Sequence, residues 1–185
     1  EDLPMQQVTV ADCEIFDGCK KFNSAVGIWI GDAGGNRILH NDIHHMNYSG
    51  ISCGWAWVFD YDRRAVDNRI EGNYIHHLNQ QALLSDLAGI YMLGPSPGTM
   101  VRGNLIHDVR CADYGNWGIY LDGSTSFVRV ERNMAYRCGY GAMFSNVGRA
   151  NLAQRNILIN DVSPDNPAMV VGDDTGMLCI TARQN

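Results

Sequence analysis

Two aspartates, Asp86 and Asp122, each adjoin a nearly identical aromatic strand: Asp86 leads into Gly89-Ile-Tyr-Met92, and Asp122 closes Gly118-Ile-Tyr-Leu121. A pair of carboxylates beside a floor of aromatic rings is the minimal equipment for hydrolysing a glycosidic bond. One acid protonates the leaving oxygen; the other attacks the sugar or activates water. Asp32, Asp60, Asp62 and Asp113 fall in related segments and are further candidates, although a lone aspartate in a turn is ordinarily a solvated carboxylate. His44, His76 and His107 recur at matching places in three segments. Stacked about 4.8 Å apart, they would brace the backbone of neighbouring loops, and His76 and His107 are also candidates to touch a substrate. No metal centre is expected of them, because no helper carboxylate is evident in register. No cofactor is expected either.

The elements that must position these residues are set by a repeat. Asn41, Asn73, Asn104, Asn133 and Asn156 each follow a small or branched apolar residue by three places and precede another apolar residue by two. Val8 to Phe16 fits the same frame, with Cys13 in the asparagine's place. Intervals of this size are the mark of a stacked array. Each unit reads as three short strands with apolar residues at every second place, too small to bury themselves unless identical units stack. The expected fold is therefore all-β: a right-handed parallel β-helix of about six coils, a pectate-lyase-like single-stranded solenoid. Its hand follows from the right-handed preference of parallel crossovers. The asparagines would stand at one tight corner, tolerate its left-handed backbone, and bond to one another by their amides.

Alternation predicts that Ile43, Ile70, Ile75, Ile90, Ile106, Ile119 and Val130 point inward. In the third strand of each coil Ile28, Ile51, Ile90, Ile119 and Ala142 should point in, together with Ile30, Cys53, Met92, Leu121 and Phe144. That leaves Trp29, Ser52, Tyr91, Tyr120 and Met143 as an outward column. Exposed aromatic residues on successive coils call for something to cover them. Insertions at 54–64, 79–88 and 110–117 flank this column, and loops raised over one face of a rigid scaffold commonly carry function. Trp55 and Trp117, from two of them, join Trp29, Tyr91 and Tyr120 as expected sugar-binding residues. One obstacle is geometric: along a straight strand Asp86 would lie roughly 23 Å from the register of Asp122, so the 79–88 loop would have to fold back.

The 185 residues are enough for one domain with a core, read here as a single domain over 1–185, itself a piece of a longer protein, since no capping helix is evident. A hydrophobic share of 45% against 18% charged argues against disorder. Net charge is -6 and Lys20 and Lys21 are the only lysines, so a nucleic-acid partner is not expected. No apolar run is long enough to span a bilayer. The six cysteines form no CxxC pair, which argues against a zinc ribbon; Cys111 and Cys138 fall in equivalent turns and could pair, but the preferred reading of most of the cysteines is as small buried hydrophobes.

Ser85 to Gly94, Pro97-Gly-Thr99, Asn104 to Val109 and Tyr114 to Asp122 together resemble the right-handed parallel β-helix glycoside hydrolases of bacterial polysaccharide degraders. They are most similar to the β-helix α-L-fucosidases of glycoside hydrolase family 141. The resemblance is strongest over 85–160. It implies catalytic roles for Asp86 and Asp122, a polysaccharide or oligosaccharide substrate of the plant cell-wall or pectin type, and an extracellular or periplasmic location. Relatives often follow the second aspartate with glutamate, whereas Gly123 stands there in this chain. A pectate lyase would need an arginine or lysine base on the floor, and the strand column offers none. The signatures of polygalacturonases (Asn-Thr-Asp, Gly-His-Gly, Arg-Ile-Lys) are also missing. A non-catalytic glycan-binding or tailspike-like β-helix would keep the aromatic column without two neighbouring carboxylates.

Overall fold

In the computed structural model, the residues described are 6–57, 59, 62–162 and 165–172, with the backbone of 180–183. The chain winds through strands three to a coil. The first coil is β1 (Thr9–Ala11), β2 (Glu14–Phe16) and β3 (Ile28–Ile30). The second is β4 (Arg37–Leu39), β5 (Asp42–His44) and β6 (Ile51–Cys53), and the third is β7 (Arg69–Glu71), β8 (Tyr74–Leu78) and β9 (Leu87–Pro95). The fourth is β10 (Met100–Arg102), β11 (Leu105–Val109) and β12 (Asn116–Ser126), and the fifth is β13 (Arg129–Glu131), β14 (Met134–Cys138) and β15 (Gly141–Asn146). Then come β16 (Asn151–Gln154), β17 (Ile157–Leu158), β18 (Met169–Gly172) and β19 (Ile180–Arg183).

Every third strand pairs in parallel, which makes three sheets. The first runs β1-β4-β7-β10-β13-β16-β19, the second runs β2 to β17 and the third β3 to β18. This is a parallel β-helix of about five turns rather than the six expected. The last row is the reason: β17 keeps only two residues, and the alternating pattern fades after Leu158. Among the described residues no helix is long and apolar enough to cross a membrane.

The core is a set of vertical files. In the first sheet Val10, Ile38, Ile70, Val101, Val130 and Ala153 are register partners; in the second, Ile15, Ile43, Ile75, Ile106 and Ala135 are. The seven residues expected to point inward are all fully buried. Each such branched side chain contributes about 1.5–3 kcal/mol by leaving water.

The third sheet corrects the expected register of the fifth coil by one residue. Ile119 pairs with Met143 and Tyr120 with Phe144, so Met143 is the inward residue and Phe144 the outward one. Ala142 takes the place that Gly27, Gly50, Gly89 and Gly118 hold in the coils before it. Those glycines line a bend. A Cβ on Gly89 would stand 2.4 Å from Cγ2 of Ile106 and 2.8 Å from the carbonyl of Gly118. The inward–outward alternation slips there: Leu87 and Ile90 both pack in the core, while Ala88 and Tyr91 belong to the outer cluster.

The corner between the first two sheets is also built differently from expectation. Asn41, Asn73, Asn104, Asn133 and Asn156 stack in the interior, each 1–2% exposed. The side-chain amide of each of the first four donates to Oδ1 of the next at 2.9–3.0 Å. The left-handed backbone belongs to the residue before each asparagine: His40, Gly72, Gly103, Arg132 and Arg155. A second stack, in which Asn36 donates to Asn68 at 2.9 Å, precedes the first sheet. Cys111 and Cys138 are both free thiols and form no pair; Cys138 is buried in the core as a small hydrophobe, and Cys111 packs against that core.

Candidate active site

Asp86 and Asp122 come together around one hydroxyl. Tyr91 Oη lies 2.6 Å from Oδ2 of Asp122 and 3.4 Å from Oδ2 of Asp86. No loop folds back to achieve this. Asp122 is the register partner of Leu93 and Asn116 that of Leu87, so the two backbones are far apart along the strands. The expected distance assumed a straight strand, whereas the alternation slips at Gly89 and Asp86 has a left-handed backbone, φ 58°. The long side chain of Tyr91 spans what remains.

Both acids are held firmly. The backbone N–H of Asp86 donates to the carbonyl of Tyr114 at 3.0 Å, and that of Leu87 to Gly115 at 2.7 Å. The Tyr48 hydroxyl donates to the Asp86 carbonyl at 2.7 Å. Asp122 is 8% exposed, and its Oδ1 accepts the side-chain amide of Asn146 at 2.8 Å. Partial burial, and then the charge of Asp122, raise the pKa of Asp86, against the opposing hydrogen bonds of Tyr91 and Tyr120. Burial followed by the hydrogen bond to Asp122 holds the Tyr91 hydroxyl far above the usual phenol range, so it stays a neutral donor. Burial acts likewise on Tyr48, pushed up to about 12.

The outward column is not one exposed floor. Tyr91, Tyr120 and Phe144 stack at 4.7 and 5.1 Å, with Trp117 packed beside them at 4.7 Å from Phe144. Tyr91, Tyr120 and Trp117 are buried, which makes them a support beneath the acids. Beside this support runs an exposed line of three tryptophans. Trp29 and Trp55 meet edge to face at 5.7 Å, Trp55 and Trp57 at 5.4 Å, and all three are exposed. Trp57 packs beside the neighbour of Asp122: a Cβ on Gly123 would stand 3.1 Å from its ring. The indole thus fills the space beside Gly123.

Among the described residues the other acids do not join this pair. Asp32 accepts the backbone N–H groups of Arg64 and Ala65 at 2.8 and 3.3 Å, and so holds that stretch of backbone in place. Asp62 and Asp113 are exposed, and Asp60 lies outside the described residues. His76 and His107 stand on the second sheet, whereas both acids belong to the third.

The histidines form their own array. Phe16, His44, His76, His107 and Tyr136 stack at 5.2, 4.9, 5.4 and 4.8 Å. In three coils the ring Nδ1 meets the side chain of the next residue: His45 at 2.6 Å, His77 at 2.7 Å and Asp108 at 2.6 Å. These following residues all have a left-handed backbone, which turns their side chains back toward the stack. Helper carboxylates are also present. Asp42 Oδ1 lies 3.0 Å from His76 Nε2, and Glu14 Oε1 3.3 Å from His44 Nε2. The sequence reading missed them because each sits on the coil before the histidine it meets, two places ahead of that coil's own stacked ring, Phe16 or His44.

Sequence reasoning also missed Tyr48, Asn146 and Trp57. Asn146 follows Ser145, the register partner of Leu121, and so stands beside Asp122, a place that the expected register, one residue off in this coil, gave to Ser145. Tyr48 lies in a turn of the second coil with no candidate catalytic acid next to it. For Trp57 there was a signal, the aromatic spacing of Trp55-Ala-Trp57, without a way to place it.

The family described as "Right handed beta helix region" matches residues 5–178, and its name supplies the hand of the coil. No curated protein sequence is significantly similar to this one. A solved structure named "Glycoside hydrolase" superposes with a TM-score of 0.69 at 25% identity, over 86% of this chain. This chain spans 26% of that protein's length.

Proposed function

The chain belongs to the right-handed β-helix family, and from that premise we propose that it is a glycoside hydrolase region acting on a complex extracellular polysaccharide. The carrying observation is the meeting of two carboxylates at Tyr91. With legs of 2.6 and 3.4 Å to that hydroxyl, Oδ2 of Asp122 and Oδ2 of Asp86 lie within about 6 Å of each other, near the ~5–5.5 Å of retaining pairs and short of the ~6.5–9.5 Å of inverting ones. Asp86, whose pKa is raised, takes the part of general acid. Asp122, an acceptor of two hydrogen bonds, takes the part of nucleophile. The Trp29–Trp55–Trp57 line stacks on the C–H faces of sugar rings leading to the cleavage point, and the resemblance to β-helix α-L-fucosidases puts plant cell-wall oligosaccharides first as substrates.

The test is Asp86→Asn and Asp122→Asn on a panel of cell-wall oligosaccharides and aryl glycosides, including aryl α-L-fucosides. Loss of the acid or the nucleophile should slow turnover by roughly 10²–10⁴-fold, and the product released by wild type should keep the anomeric configuration of its substrate. A substrate cleaved equally well by wild type and both variants puts the chemistry elsewhere. A second reading, glycan binding alone, is favoured by the exposed tryptophans, which need no acid. It wins if wild type, including in its longer parent protein, retains glycans on an affinity gel and cleaves none. The lyase reading has less support. The side-chain groups hydrogen-bonded to the two carboxylates are Tyr91 and Asn146, neither of them the cationic base that reading needs.

A further inference from the structure

We propose that Glu14, Asp42, His44 and His76 form a binding site for a first-row divalent cation such as zinc, on the second sheet and independent of the carboxylate pair. The four residues come from three successive coils: Glu14 on β2, Asp42 and His44 on β5, and His76 on β8. Ligand atoms of Asp42, His44 and His76 all lie within 4.8 Å of one another, and Glu14 approaches His44 Nε2 at 3.3 Å. Two imidazoles and two carboxylates are a donor set suited to tetrahedral zinc. Bonds of about 2.0–2.2 Å place such ligands ~3.3–3.6 Å apart, so the stacked rings of His44 and His76 need to lean together by about 1 Å.

The rings are already aimed. A metal-bound imidazole is ordinarily fixed by a hydrogen bond at its other nitrogen. Here Nδ1 of His44 and of His76 each meet the ring of the following histidine, at 2.6 and 2.7 Å, which leaves Nε2 facing the carboxylates. One proton is shared in each of these contacts. The rings can therefore present either Nε2–H to Asp42 and Glu14, or a bare Nε2 to a cation.

The same array shows what happens when a cation is supplied from within. One coil further on, His77, His107 and Asp108 make a similar cluster, but Arg137 fills it. Its guanidinium donates to both oxygens of Asp108, at 2.7 and 2.6 Å, and lies 3.4 Å from Nδ1 of His107. Glu14 and Asp42, by contrast, are in no ion pair with a lysine or arginine among the described residues. The array is thus closed by a built-in cation at one end and open to one from solution at the other. A metal there would tie the first three coils together.

Isothermal titration of tag-free protein with zinc chloride, after treatment with chelator, tests this. Wild type should bind one zinc with Kd of about 10 µM or tighter, and its melting midpoint should rise in zinc by mass action. His44→Ala and His76→Ala should each weaken binding at least tenfold, as should Asp42→Asn, which preserves size and keeps the test open if an alanine variant fails to fold. His40→Ala and His107→Ala, outside the set, should bind as wild type does. A Kd weaker than about 1 mM overturns the proposal. So does binding that survives both His44→Ala and His76→Ala, or that disappears in His107→Ala.

Discussion

The hydroxyl of Tyr91 lies 2.6 Å from Asp122 and 3.4 Å from Asp86, yet it has a single proton to give. The shorter contact, to Asp122, takes that proton for most of the time. The longer contact to Asp86 is the weaker of the two and only partly opposes the burial that raises the pKa of that carboxyl. The two acids are therefore set unlike through one shared group.

Tyr91→Phe follows from this relationship. The variant keeps the ring that stacks on Tyr120 and removes one of the two donors to Asp122. A hydrogen bond to a charged group is worth ~1.5–3 kcal/mol, so kcat/KM on whichever glycoside wild type cleaves should fall about 10- to 100-fold, with KM little changed. Equal steady-state rates for the two proteins would remove Tyr91 from the reaction.

Asp86 should weaken the fold that holds it. Its folded-state pKa is raised above the unfolded value, so its contribution to stability is fully present below about pH 4 and is lost as pH rises through the folded-state pKa. Asp86→Asn removes the ionisation, and asparagine tolerates the left-handed backbone at this position. At pH 7 the variant should melt at or above the wild-type temperature, and the difference should close toward pH 4. A variant that melts clearly below wild type at pH 7 contradicts the burial of this carboxyl.

Asp108 behaves in the opposite sense. The hydrogen bonds of Arg137, outweighing burial and helped by His107, hold its carboxyl well below the usual range. Its stabilisation is present above about pH 4 and lost as pH falls through the depressed value. Arg137→Ala should lower the melting temperature at pH 7, and the gap to wild type should narrow in acid. A gap that stays constant from pH 7 to pH 3 would mean that Arg137 acts by packing on Tyr136 and not by charge.

Asn104→Ala should cost about 1–3 kcal/mol, because both the backbone N–H and the amide of Asn73 lose their buried acceptor. Chemical denaturation reads this directly. An unchanged midpoint would mean that water replaces the asparagine at that corner.

Much of the fold could be read from the sequence because a solenoid writes the same instruction several times. The asparagine frame and the isoleucine files needed no long-range information, since each residue's partner is its own counterpart one coil on. The fifth coil went astray for the same reason. Gly141 imitates Gly118, but only packing reveals that Ala142 occupies the bend and Phe144 continues the stack. At the site, Asp86 and Asp122 were identifiable, while their meeting was not, because it depends on a slip at Gly89 and the reach of one tyrosine. Asn146, Tyr48 and Trp57 come from three other segments, and nothing local in any of them points to the acids.

Asp86 enters β9 and Asp122 lies on β12, so the pair occupies neighbouring coils in the interior of the stack, with further coils on either side. In an array each coil is supported mainly by the coil above and the coil below. A coil added or lost near either end then alters the length of surface along which a polymer can lie, and leaves the spacing of the two acids as it was. On the proposed function, evolution could lengthen or shorten the run of sugars recognised, one turn at a time, and leave the geometry of the acid pair unchanged.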